Sequence, residues 1–138
     1  MLNRQDAKTP REPRQEVDAV ARAIVDSAFR VHSKLGPGLL ESVYETCLVH
    51  ELQKRGLKVQ RQLVMPLEYD DLRIDSGLRL DLLVENCVVV EVKAVEGLAP
   101  VHRAQVLTYL KLTGYQLGLL INFNVPLIRD GIKRIVLS

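Results

Sequence analysis

Three side chains near the middle of the chain are of types that do chemistry together: Asp81, Glu91 and Lys93. In the run Val88–Lys93, side chains alternate between faces. Val88, Val90 and Val92 therefore share one face, and Val89, Glu91 and Lys93 the other. Acid and amine then stand roughly 6–7 Å apart along a strand. The preceding apolar run holds a second acid, Asp81, among Leu80, Leu82, Leu83 and Val84. A two-residue loop between the runs would oppose Asp81 to Val90 and mix polar with apolar. A three-residue loop, Glu85-Asn86-Cys87, pairs Leu82 with Val90 and Leu80 with Val92 on one face, Leu83 with Val89 and Asp81 with Glu91 on the other. Register follows the hydrophobic pattern, so the three-residue loop is expected, with Asn86 as its left-handed residue.

That register sets two carboxylates against each other about 5 Å apart at Cβ. Either one is protonated with a raised pKa, or a cation lies between them. Oxygen donors of this kind suit Mg²⁺ or Mn²⁺. A salt-bridged surface using Lys93 or Arg79 would be the plainer arrangement. Downstream, His102, Gln105 and Tyr109 follow at i, i+3 and i+7, one above another on a helix. Upstream, Glu41 stands near the start of a helix, bordering the stripe that carries Tyr44 and Leu48. It serves the helix dipole there, or it is an acid beside a metal.

The elements needed to position these residues are legible in the spacing. Val17, Val20, Ala21, Ile24, Ala28, Val31 and Leu35 mark a helix ending at Gly36-Pro37-Gly38, and a second helix runs from about Leu39 to Arg55. Val59, Leu63, Met65, Leu67 and Tyr69 alternate as a strand, Asp70-Asp71 is a turn, and Leu78–Val84 and Val88–Lys93 are further strands. A third helix starts at Pro100 and ends at Gly114; Gln116–Phe123 reads as a strand covered on both faces, and Ile132–Leu137 as a last strand. The expected order is α-α-β-β-β-α-β-β, an α/β fold of one domain over residues 15–138, with a flexible tail over residues 1–14 that holds Pro10 and Pro13. The net charge of +2 does not advertise tight nucleic-acid binding, although a local basic patch is compatible with it. Cys47 and Cys87 lack metal or redox spacing and are expected reduced. With a polar N-terminus and no long apolar run, a cytoplasmic protein without a membrane span is expected.

Asp81, Glu91-Val92-Lys93, Gln105 and Tyr109 together resemble the PD-(D/E)XK nuclease superfamily. The nearest branch carries a Gln-x-x-x-Tyr helix, as in the nuclease domains of bacterial recombination helicase–nucleases. Gly38-Leu39-Leu40-Glu41-Ser42-Val43-Tyr44 further resembles the name motif of a small bacterial group, the GxxExxY family. Both resemblances together span roughly Val17 to Val136. They imply a restriction-endonuclease-like core, α-β-β-β-α-β, with a mixed central sheet flanked by helices. They also imply that Asp81 and Glu91 ligate Mg²⁺ or Mn²⁺, with the Val92 carbonyl as a third donor and Glu41 as the acid from the helical region. Lys93 would orient or activate water, and Gln105 and Tyr109 would position the phosphodiester or the metal shell. Leu80 stands where the superfamily name has Pro.

The expected activity is metal-dependent hydrolysis of phosphodiester bonds in DNA or RNA, with His102 and Arg103 as nucleic-acid contacts. The rival is a catalytically silent module of the same fold, binding nucleic acid or a protein partner. A homodimer would supply the two sites that cutting both strands of a duplex requires.

Overall fold

A computed structural model describes residues 14–137. The tail expected over residues 1–14 thus lies outside the described residues, except for Arg14, which caps the first helix.

Helix α1 spans Gln15–Leu35 and buries Ala21, Ile24, Ala28 and Val31, the face that the spacing predicts. Gly36 ends it with φ +71°, a left-handed value that glycine adopts without steric cost, and its N–H bonds the His32 carbonyl at 2.8 Å. Helix α2 spans Glu41–Lys54, slightly inside the expected bounds, and buries Tyr44, Glu45, Leu48 and Leu52. Tyr44 explains the short connection. Its hydroxyl donates to the Gly36 carbonyl at 2.7 Å and accepts from the Leu39 N–H at 3.0 Å, while its ring stacks on Phe123 with centroids 4.7 Å apart. The loop that delivers Glu41 is therefore fastened to the core.

The sheet has five strands in sequence order: β1 (Val59–Tyr69), β2 (Leu72–Val84), β3 (Val88–Lys93), β4 (Leu117–Asn122) and β5 (Ile132–Val136). Only β3 and β4 run parallel, which requires the crossover through helix α3, Pro100–Thr113. A 3₁₀ turn at Ile128–Gly131 precedes β5. This is a mixed sheet flanked by helices, the restriction-endonuclease-like architecture expected. β2 begins six residues earlier than its apolar run, because β1 supplies pairing partners for its exposed start. Helices α1 and α2 cover one face, packing on Leu82, Val84, Val88, Val90, Val92, Leu119 and Ile121. Helix α3 covers the other, with Val106 and Leu110 against Leu83, Val89, Leu120 and Ile135. Burial on both sides is why β3 and β4 read as unbroken apolar runs.

The β2–β3 turn is the three-residue loop. Leu82 pairs with Val90, Leu83 with Val89 and Val84 with Val88, and Asn86 is left-handed (φ +54°), as is Glu85 (φ +50°). Beyond Leu82 the expected ladder does not continue. Leu78 and Leu80 pack with Leu83 in the α3-side cluster, whereas Leu82 and Val84 pack on the α1–α2 side, so β2 exchanges faces at Asp81. Leu80 therefore does not share a face with Leu82 or pair with Val92. On β1 the residue opposite Asp81 is Gln62, which lies between the pairs Arg61–Leu82 and Leu63–Leu80 and is left-handed (φ +52°). β1 makes the same exchange there: Val59 packs with the first cluster, Leu63 and Met65 with the second. The departure has a physical cause. Two carboxylates facing each other in a regular ladder repel; the twisted step lets each bond a backbone N–H instead.

Candidate metal centre

Asp81 and Glu91 are cross-linked through backbone rather than paired in a ladder. The Asp81 N–H donates to Glu91 Oε2 at 3.0 Å, and the Val92 N–H donates to Asp81 Oδ2 at 2.9 Å. Each carboxylate is thereby oriented, and the second oxygen of each has no hydrogen-bond partner among the described residues. A strand residue directs its N–H and C=O to the same side, so the Val92 carbonyl points toward β2, where the ladder has stopped.

The electrostatics record the strain of this arrangement. Glu91 is only 3% exposed. Burial, and then the Asp81 charge, push its carboxyl up to about 8, with the Asp81 N–H and the Lys93 ammonium opposing them. Glu41 belongs to the same field. Loss of water around its carboxyl, then Asp81, raise its pKa, and Lys93 and His102 lower it. Tyr109 is raised by burial and by the charge of Glu91, while the hydrogen bond from Gln105 Nε2 to its hydroxyl, 3.0 Å, acts the other way. Glu41, Asp81, Glu91, Lys93, His102, Gln105 and Tyr109, singled out in sequence, are thus linked in one electrostatic network.

The supporting shell determines where these groups stand. Lys93 ends β3 in register with Asn122, and its carbonyl accepts from the Phe123 N–H at 2.9 Å. The His102 ring is committed locally: Nδ1 accepts from the Ala99 N–H at 3.0 Å and caps α3. Arg103 is exposed on the first turns of that helix. α3 approaches the sheet closely because β4 offers Gly118, where an added Cβ would stand 2.7 Å from Val106 Cγ1.

Two buried polar residues of this shell were not singled out from sequence. Asn122, 1% exposed, bonds both polar groups of Val95, at 3.0 Å to the N–H and 2.9 Å to the carbonyl, and so holds the segment that leaves Lys93. Glu45, 5% exposed, accepts from Arg61 Nε at 2.6 Å and Gln62 Nε2 at 2.8 Å. Each had a signal. Asn122 interrupts an apolar strand, and Glu45 sits inside the stripe of Tyr44, Leu48 and Leu52.

Among the described residues no group of three or more His, Cys, Asp or Glu side chains is arranged to enclose an ion. The donor chemistry nevertheless fits a hard divalent cation: two adjoining carboxylates, each with an uncommitted oxygen, one of them buried and resisting ionisation beside the other. Such a site would be open, completed by water or substrate.

A mixed five-stranded sheet with flanking helices, bearing an Asp and a Glu-x-Lys on adjacent strands, is a restriction-endonuclease-like nuclease fold. A family model of the PD-(D/E)XK nuclease superfamily matches residues 18–135, and the chain belongs to that superfamily. No curated protein and no solved structure is significantly similar to the chain. No helix among the described residues is long and apolar enough to cross a membrane.

Proposed function

We propose that the protein is a metal-dependent nuclease, a cytoplasmic member of the GxxExxY group, that hydrolyses phosphodiester bonds of DNA or RNA. The observation that carries this reading is the orientation of Glu91 by the Asp81 N–H and of Asp81 by the Val92 N–H, which leaves one oxygen of each carboxylate for a cation. Asp81, Glu91 and the Val92 carbonyl would hold Mg²⁺ or Mn²⁺, which would supply Lewis acidity and lower the pKa of a bound water. Lys93 offers positive charge next to that site, where phosphorus-bound oxygens gain negative charge in displacement. Gln105 and Tyr109, already bonded to each other, present an amide and a phenol to a phosphate oxygen. Glu41, in the same electrostatic field from α2, would hold a water beside the ion. A groove of about 410 Å³ bordered by Arg79 and Tyr109 lies alongside and is a route for the strand. Arg103 and the free nitrogen of His102 would meet the backbone on the α3 side. Two copies would serve to cut both strands of a duplex.

The test is calorimetry with Mg²⁺ and Mn²⁺ together with cleavage assays on single- and double-stranded DNA and RNA. Asp81→Ala, Glu91→Ala and Lys93→Ala are each expected to reduce divalent-dependent cleavage by a factor of about 10² or more while the fold persists. Cleavage retained in any of the three refutes the mechanism. Metal binding with no turnover on any substrate favours the silent binding module.

A further inference from the structure

We propose that Glu45 is a positioning residue for the metal centre, acting through Gln62 on Asp81. The inference rests on the metal-centre reading for its consequence, but its geometry is independent of that reading. Glu45 is a carboxylate buried to 5% exposure on the inward face of α2, one turn beyond Glu41. A buried charge needs full pairing. Both of its oxygens are spent on consecutive residues of β1: Oε2 on Arg61 at 2.6 Å and Oε1 on Gln62 at 2.8 Å. Arg61 is fixed a second time by Thr46 Oγ1, at 2.8 Å from its guanidinium.

Gln62 is the residue these bonds hold in place, and its conformation is unusual. It has φ +52° inside a strand, a left-handed value that a side-chain-bearing residue keeps only where its surroundings enforce it. Its cross-strand position is opposite Asp81, where both strands exchange faces. That exchange releases the Asp81 N–H to Glu91 and sends the Asp81 carboxylate to the Val92 N–H. The chain of dependence is therefore Glu45, Gln62, the twisted step, Asp81, Glu91. Neither Arg61 nor Gln62 has to touch metal or substrate for this to matter.

The geometry makes a sharp demand. The left-handed backbone at position 62, rather than the glutamine side chain, is what the site requires. Glu45→Gln leaves one acceptor oxygen for two donors. Gln62→Val keeps the Glu45–Arg61 ion pair but disfavours positive φ. Gln62→Gly removes the tether yet adopts positive φ freely. Mn²⁺ affinity by calorimetry is expected to fall about tenfold or more in Glu45→Gln and in Gln62→Val, the usual consequence of losing an outer support. It should stay within a few-fold of wild type in Gln62→Gly, and Gln62→Gly should rescue Glu45→Gln. Thermal stability need not be rescued, because the Arg61 pairing stays broken; a merely structural role for Glu45 predicts that affinity and stability fail to separate.

Amide exchange at Asp81 supplies a readout that needs no metal. It should quicken in Glu45→Gln and Gln62→Val and recover in the double variant. Wild-type affinity and Asp81 protection in Gln62→Val, or a double variant as impaired as Glu45→Gln, overturns the proposal. Should wild type bind no Mn²⁺, the metal-centre reading fails, and Asp81 exchange alone decides the positioning role. The exposed position 62 carries the test if Glu45→Gln does not fold.

Discussion

Glu91 holds its proton in the metal-free protein because two costs fall on its anion, burial and the neighbouring Asp81 charge. The folded carboxyl titrates at about 8, against 4.5 for the ordinary group. Between those values the folded chain binds more protons than the unfolded chain, so stability declines as pH rises. The contribution is complete below the lower value and lost above the higher. Glu41 is shifted in the same direction and adds a slope of the same sign. Urea titrations in chelator are therefore expected to show wild type losing stability from about pH 5 to about pH 8, the window the two values bracket. Glu91→Gln, which cannot ionise, should flatten most of that decline while losing the metal. Parallel pH profiles for the two proteins would show that Glu91 ionises without penalty. The residue scale also shows why sequence placed the two acids near each other but missed their geometry. Asp81 and Glu91 could be placed on facing strands by alternation, yet the bonds of Glu91 to the Asp81 N–H and of Asp81 to the Val92 N–H go with a non-glycine left-handed residue at Gln62, which no pattern of residue types announces.

At the scale of elements, legibility followed the strength of the local signal. α1, with its stripe from Val17 to Leu35, and the glycine stops at Gly36 and Gly114 were readable because periodicity and punctuation agreed. The β2–β3 loop was readable because only one loop length sorted apolar from polar. The start of β2 was not, since Leu72–Ser76 is exposed and paired on one side by β1, and local pattern carries no trace of a partner strand. Nor was the meeting of α3 with the sheet. A glycine in a strand interior weakens it, but Gly118 leaves room for Val106, whose Cγ1 would stand 2.7 Å from an added Cβ. Any side chain there must push Val106 and the helix outward. Gly118→Val is expected to destabilise the fold by about 1–3 kcal/mol, as overpacked cores generally do. By displacing the helix that carries Gln105 and Tyr109 it should also lower cleavage more than stability alone accounts for. Chemical denaturation and kcat measured well below the unfolding midpoint separate the two effects. An unchanged kcat in a folded Gly118→Val protein would mean that the helix position does not matter to turnover.

For the whole molecule, charge decides how a polyanion is met. The chain carries a net charge of only +2, so its long-range attraction for nucleic acid is weak. Locally the balance is worse: Glu41, Asp81 and Glu91 face the same region, and Lys93 is the strand cation set against them. A phosphate approaching the metal-free site meets the Asp81 and Glu41 carboxylates, and at close range in a partly desolvated cleft that repulsion outweighs the faint global attraction. A divalent cation between Asp81 and Glu91 would reverse the local sign. Nucleic-acid binding should accordingly depend on the ion even where no bond is broken. Lys93→Ala, which is expected to cleave too slowly to interfere, makes this measurable by fluorescence anisotropy with a labelled oligonucleotide. At fixed ionic strength, replacing chelator with Mg²⁺ should tighten binding by about tenfold, equivalent to about 1.4 kcal/mol, whereas Asp81→Ala should show no gain. Equal affinity with and without Mg²⁺ would place the binding surface away from the carboxylates and leave the superfamily fold here serving a role other than phosphodiester hydrolysis.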